Sequence, residues 1–160
     1  MLKVKDIMTR QVVTVTPDTT VKDAASLLAE KDISGVPVVD GGKLVGIFSE
    51  SDILRSIKMM KKDIRMVYPS ISPLGIAFQE EVTQREILEA YGEAGKIPVR
   101  EVMTSEVVTV SPEMTINDAI LRMRDRGINR LPVLDKGVLV GIVTRGDVIK
   151  GLARDQPKGG

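Results

Sequence analysis

The 160-residue chain contains no cysteine and no histidine. Without cysteine there can be no disulfide and no thiolate metal site. Without histidine the commonest general base and the commonest metal ligand are both missing, and no Ser–His or Cys–His nucleophile can be assembled within the chain. Tryptophan is absent too, and aromatic residues make up only 2 % of the sequence, so a core must be built from Val, Ile, Leu, Met and Ala. Excess charge of either sign is also lacking. Lys and Arg number 23 against 22 Asp and Glu, short of the bulk positive charge that binding to a phosphate backbone uses. No apolar run reaches the ~18 residues a membrane span needs. The start, Met1-Leu2-Lys3-Val4-Lys5-Asp6, lacks the apolar stretch of a signal peptide. The expectation is a cytoplasmic protein that is not an enzyme and contacts neither membrane nor nucleic acid.

What the chain does have is a second copy of itself. With Val4 placed over Val99, residues 4–57 align with residues 99–152 without a gap, at about 21 identities in roughly 54 positions. Asp6-Ile7-Met8-Thr9 falls on Glu101-Val102-Met103-Thr104, and Val12-Val13-Thr14-Val15 on Val107-Val108-Thr109-Val110. Val36-Pro37-Val38-Val39-Asp40 falls on Leu131-Pro132-Val133-Leu134-Asp135, Leu44-Val45-Gly46-Ile47 on Leu139-Val140-Gly141-Ile142, and Asp52 on Asp147.

One copy reads as β-α-β-β-α. Val12 to Thr14 is a β-branched strand. Thr16-Pro17-Asp18 turns into a helix from Val21 to Lys31, whose Val21, Ala24, Ala25 and Leu28 recur at helical spacing. Val36 to Val39 and Leu44 to Ser49 are strands joined by a Gly41-Gly42 turn. Ser49 or Ser51 caps a second helix through Leu54 and Ile57. Between the copies, Lys58, Lys61, Lys62 and Arg65 continue that helix with a basic, solvated face. Tyr68-Pro69 and Ser72-Pro73 break it. Thr83-Gln84-Arg85-Glu86 has the pattern of a capping box, opening a helix with Ile87, Leu88 and Tyr91 on its apolar side and ending at Gly92 and Gly95. The boundaries are then 1–57 for the first copy, 58–96 for a helical insert, 97–154 for the second copy and 155–160 for a disordered tail.

These marks together, repeated in order, resemble a pair of CBS domains, also called a Bateman module. They are Asp/Glu-Ile/Val-Met-Thr, the Val/Leu-Pro-Val strand, the Leu-Val-Gly-Ile strand and the Ser/Thr-x-x-Asp after it. The resemblance implies an α/β fold of two tandem repeats packed through their sheets with pseudo-two-fold symmetry, with no catalytic or transport domain attached. It implies two clefts that bind an adenosine-type ligand: AMP, ADP, ATP, S-adenosylmethionine or methylthioadenosine. It further implies a homodimer, a disc of four repeats, acting on an effector protein that the sequence does not name. The apolar second helices, with Ile53, Leu54 and Ile57 in one copy and Val148, Ile149 and Leu152 in the other, are the expected dimer face.

The candidate site residues follow. Ser49-Glu50-Ser51-Asp52 and Thr144-Arg145-Gly146-Asp147 stand where a strand ends and a helix begins. A helix N-terminus offers unpaired N–H groups to a phosphate, and a carboxylate there can accept two ribose hydroxyls. The same spacing is also that of a plain helix cap. The copies differ after the Ser/Thr, with Glu50 in the first and Arg145 in the second, so the resemblance points to a phosphate-competent cleft on Asp147. Asn129-Arg130 and Ser34-Gly35 fall where similar adenylate-binding pairs face the phosphates. Thr16 and Val21, with Ser111 and Ile116, fall at the family's adenine and ribose contacts. Val36, Pro37 and Pro132, with Ile33, Ile128 and Leu131, would form apolar walls, although for each one plain core packing is the better reading.

Overall fold

The computed structural model describes residues 1–60, 66–72, 75–81 and 83–155. Its elements run α1 (Val4–Ile7), α2 (Val21–Lys31), β1 (Gly35–Asp40), β2 (Lys43–Ser49), α3 (Glu50–Met60), β3 (Met66–Ser72), β4 (Gly75–Glu81) and α4 (Gln84–Ala94). A 3-10 turn at Val99–Glu101 follows, then α5 (Ile116–Arg126), β5 (Arg130–Asp135), β6 (Val138–Thr144) and α6 (Arg145–Arg154). The strands pair as three two-stranded hairpins, β1–β2, β3–β4 and β5–β6. In the turn between β5 and β6, Lys136 and Gly137 both have positive φ (50° and 80°), the backbone of a tight hairpin turn that follows strand twist.

The expected helices and hairpins recur in both copies, but the opening strand does not. Val15 makes a single parallel bridge to Val38, and Val110 makes one to Val133. Val15 donates to the Pro37 carbonyl (3.1 Å) and accepts from the Val39 N–H (2.8 Å). The next rung of a parallel ladder would need the N–H of residue 37, and proline has none. Pro132 stops the second copy in the same way.

The chain divides into two compact units that do not coincide with the two copies. The terminal unit comprises Met1–Pro17, Gly35–Ile47 and Thr104–Gly160; the inner unit comprises Asp18–Ser34 and Phe48–Met103. In the terminal unit, the leading segment of the first copy packs on the helices of the second. Val4 N–H donates to the Met114 carbonyl (2.8 Å), and Ile116 N–H to the Leu2 carbonyl (3.1 Å). The core there is aliphatic, as the composition requires: Val4, Val110, Ile116, Ala119, Met123, Leu131, Val133, Val143 and Val148. Gly151 lets α1 approach α6, because a Cβ at that position would strike the Ile7 side chain. The inner unit repeats the exchange with the copies interchanged. Val99 N–H donates to the Thr19 carbonyl (2.8 Å), and Val21 N–H to the Ile97 carbonyl (2.8 Å).

The insert contributes α4 to the inner unit. Thr83 caps it by accepting from the Glu86 N–H (3.3 Å). The packed side of α4 is not the expected one. Ala90 and Ala94 are buried, whereas Ile87 and Leu88 are exposed, at 43 % and 62 %. Small side chains let α4 lie close to α2 and α3. Gly92 lies inside this helix, and Gly95 is its C-cap. Ahead of it the insert holds the β3–β4 hairpin, in register from Met66↔Glu81 to Ser72↔Gly75, which the sequence reading had not separated from its helix breakers. The basic run beyond Met60 and the tail beyond Asp155 lie outside the described residues.

Candidate functional site

Strand β6 delivers Thr144 in an extended conformation, and the chain turns at once into α6. Thr144 Oγ1 accepts from the Asp147 N–H (3.2 Å), while Asp147 Oδ2 accepts from the Thr144 N–H (2.9 Å), a reciprocal capping box. The other oxygen, Oδ1, accepts from the Thr9 hydroxyl (3.3 Å). Arg145 N–H donates to the Asn129 carbonyl (3.1 Å), which brings the Asn129-Arg130 step beside the helix N-terminus. Arg145 and Gly146 are exposed, and Asp147 is half-buried. The Arg130 guanidinium lies over Gly35, its counterpart in the first copy: a Cβ on Gly35 would come within 2.6 Å of it. A cavity of about 350 Å³ opens beside Asp147, lined by Asp6, Ile7, Met8, Lys150 and Arg154 among others. Of the expected site residues, Asp147 is the one that borders it.

The start of α3 has the same backbone plan and a different end state. Asp52 Oδ2 accepts from the Ser49 N–H (2.9 Å), and Glu50 N–H donates to the Ser34 carbonyl (3.0 Å). Asp52 itself is only 1 % exposed. Its Oδ1 is ion-paired with Arg55, whose guanidinium also donates to the Val102 carbonyl (2.9 Å).

Ser111, Asn129, Arg130, Pro132, Thr144, Arg145, Gly146 and Asp147 all fall in the terminal unit, together with Ile116, Thr16, Val36 and Pro37. Val21, Ser34, Ser49, Ser51 and Asp52 fall in the inner unit. Thr16, Ser34, Ser51 and Ser111 are exposed, whereas Val21, Val36, Pro37, Ile116 and Pro132 are buried. Ile116 belongs to the core of the terminal unit. Two residues at these helix starts were not singled out from sequence: Thr9 and Arg55. The repeated Met-Thr step marks the first. Nothing local marks the second, since its carbonyl partner Val102 is 47 residues away in the chain.

Electrostatics tie the leading segment down near Ser111. Glu113 accepts from both Lys3 (2.6 Å) and Lys5 (2.8 Å). The two ammonium groups hold its carboxyl down from the ordinary 4.5 to about 2, and the same contact raises Lys5. Among the described residues no helix is long and apolar enough to cross a membrane.

The CBS domain family matches residues 4–59 and 99–154. The protein MJ1426 of Methanocaldococcus jannaschii is 41 % identical over 155 residues, spanning 95 % of this chain and 92 % of that one. The CBS domain-containing protein YhcV of Bacillus subtilis is 36 % identical over 149 residues, 92 % of this chain and 84 % of that one. Among solved structures, that of CBSX2 in complex with AMP superimposes with a TM-score of 0.71 at 27 % identity, covering 98 % of this chain and all of that one; a CBSX2 protein is known from Arabidopsis thaliana chloroplasts.

Proposed function

Since this chain belongs to the CBS-domain family, we propose that it is a cytoplasmic regulatory module that binds an adenosine-type ligand at the start of α6. One observation carries the reading. Asp147 is held by its capping box with Oδ1 turned to a hydroxyl, Thr9 Oγ1, in the place where a ribose hydroxyl would donate. A carboxylate accepting from the 2′- and 3′-hydroxyls makes charge-assisted bonds. Phosphate would then meet the positive dipole end of α6, with Arg145 and Arg130 nearby. The AMP complex of CBSX2 supports the ligand class. AMP, ADP and ATP fit the cationic side chains better than methylthioadenosine or S-adenosylmethionine. Sensing also requires that the ligand bind unequally to two arrangements of the protein.

Thermal shift tests the reading. A ligand at 100 times its dissociation constant adds about 2.7 kcal/mol of stability, which is roughly 5–10 °C for a chain of this size. Asp147→Ala should remove most of the shift caused by AMP or ATP. Arg145→Ala should reduce it more for AMP than for methylthioadenosine. Asp52→Asn should leave it largely intact. No shift with any adenosine compound at millimolar concentration would replace this reading with an adaptor whose sites are vestigial.

The same proposal includes a homodimer. Leu54 on α3 and its counterpart Ile149 on α6 are 69 % and 65 % exposed, with Leu152 beside the latter, and apolar side chains repeated in both copies favour burial against a second chain. A monomer mass by light scattering at micromolar concentration would exclude it.

A further inference from the structure

The two helix starts share a cap and differ in what faces the second carboxylate oxygen. In the inner unit Asp52 Oδ2 is spent on the Ser49 N–H, and Oδ1 on Arg55. The guanidinium is held from two sides, because it also donates to the Val102 carbonyl. One terminal nitrogen, Nη2, makes both contacts. In the repeat, the counterpart of Arg55 is Lys150 and that of Val102 is Ile7. Lys150 instead lines the open cavity beside Asp147, with Ile7 on the same wall.

We infer that Arg55 closes the first copy to ribose, so that the chain holds one adenosine-type ligand rather than two and the identity of this single side chain decides which copy is open. The inference rests on the reading of Asp147 as a ribose acceptor. A ribose at Asp52 would have to displace a charge-assisted, intramolecular bond that exists without any loss of ligand freedom, which weakens binding about ten-fold or more. The first copy therefore differs from the second by more than the repulsion of Glu50 for phosphate.

Exchanging the two residues tests this. Isothermal titration of the full chain with AMP, and separately with methylthioadenosine, should give one ligand per chain in the wild type. Arg55→Lys installs the residue the second copy already carries and should raise the count to two. Asp52→Asn added to Arg55→Lys should return it to one, which locates the gained ligand. Lys150→Arg should close the second copy and weaken binding there about ten-fold or more. A merely structural role for Arg55 would lower the melting temperature without changing the count. Two ligands on the wild type, or one on wild type and Arg55→Lys alike with Lys150→Arg unaffected, overturns the inference while leaving the adenosine reading in place. No ligand on the wild type overturns the adenosine reading and the inference with it.

Discussion

The starts of α3 and α6 hold the same place in the two copies, yet residues 49–56 and 144–151 share only the aspartate, and their surroundings differ. Ser49 and Thr144 both sit at the cap, and Asp52 and Asp147 both return a hydrogen bond to it. Asp52 is buried and neutralised by its own helix through Arg55. Asp147 stays half-buried, faces the Thr9 hydroxyl and borders a cavity. Duplication thus supplied one carboxylate position twice, and one helical turn later the copies carry Arg55 and Lys150. A capping motif alone does not distinguish them; the second carboxylate oxygen does.

The largest expected effect contrasts the two carboxylates directly. Asp52→Ala removes the bond to the Ser49 N–H and the ion pair with Arg55, so it should cost about 2 kcal/mol of stability with little change in AMP binding. Asp147→Ala removes a cap of about 1 kcal/mol and should abolish AMP binding. Urea melts of both variants, with and without AMP, read stability and ligand separately. Equal losses of stability would mean that the two positions have not diverged as their burial indicates.

A second contrast concerns how each unit closes on its leading segment. Ser56 occupies in α3 the position Gly151 occupies in α6, and its hydroxyl donates to the Ile53 carbonyl (2.6 Å). Gly151→Ser should push α1 away from α6, since a Cβ there meets Ile7, and should destabilise by about 2 kcal/mol. Ser56→Gly should cost about 1 kcal/mol, through the helix propensity of glycine. If denaturation finds Gly151→Ser neutral, the α1–α6 approach is not as close as described.

The smallest effect is a pH dependence. Glu113 and its counterpart Asp18 both pair with the leading segment of the other copy, Glu113 with Lys3 and Lys5 and Asp18 with Arg100. Because the folded carboxyl of Glu113 is lowered to about 2, its contribution is complete above the ordinary 4.5 and is lost as pH falls from there towards 2. The pair is exposed and its contribution is screened by salt. Amide exchange in residues 3–8 should therefore quicken between pH 5 and pH 3 at low ionic strength, beyond the intrinsic rate, and Glu113→Gln should show that faster exchange already at pH 5. An identical pH response in the variant would assign the effect elsewhere.

Much of the fold was legible because its causes are local. The repeat is visible by inspection, and α2 and α4 begin at Thr20 and Thr83, each accepting from the N–H three residues on. The hairpin β3–β4 was missed because Tyr68-Pro69 was read as a helix breaker. In a two-stranded ribbon both strands are edges, and an edge tolerates proline. The side of α4 that packs was misjudged because Ile87 and Leu88 are larger than Ala90 and Ala94, and size was taken for burial; close helix approach selects the smaller residues. The place of Asp147 and Asp52 at helix starts was legible from spacing, but the difference between them needed Val102, which only the folded chain brings to Arg55.

The exchange of leading segments has a consequence for how the protein is made. The inner unit ends at Met103, so all of it is synthesised before α5 and α6. The terminal unit draws on both ends of the chain, with contacts such as Lys3–Glu113 spanning 110 residues, and has to wait for the last helix. Synthesis should therefore complete the unit that holds Arg55 before the unit that holds Asp147. Hydrogen exchange on ribosome-stalled chains would show protection in α2 before α5. A nascent chain ordered this way gains the Asp147 carboxylate only after the inner unit is complete.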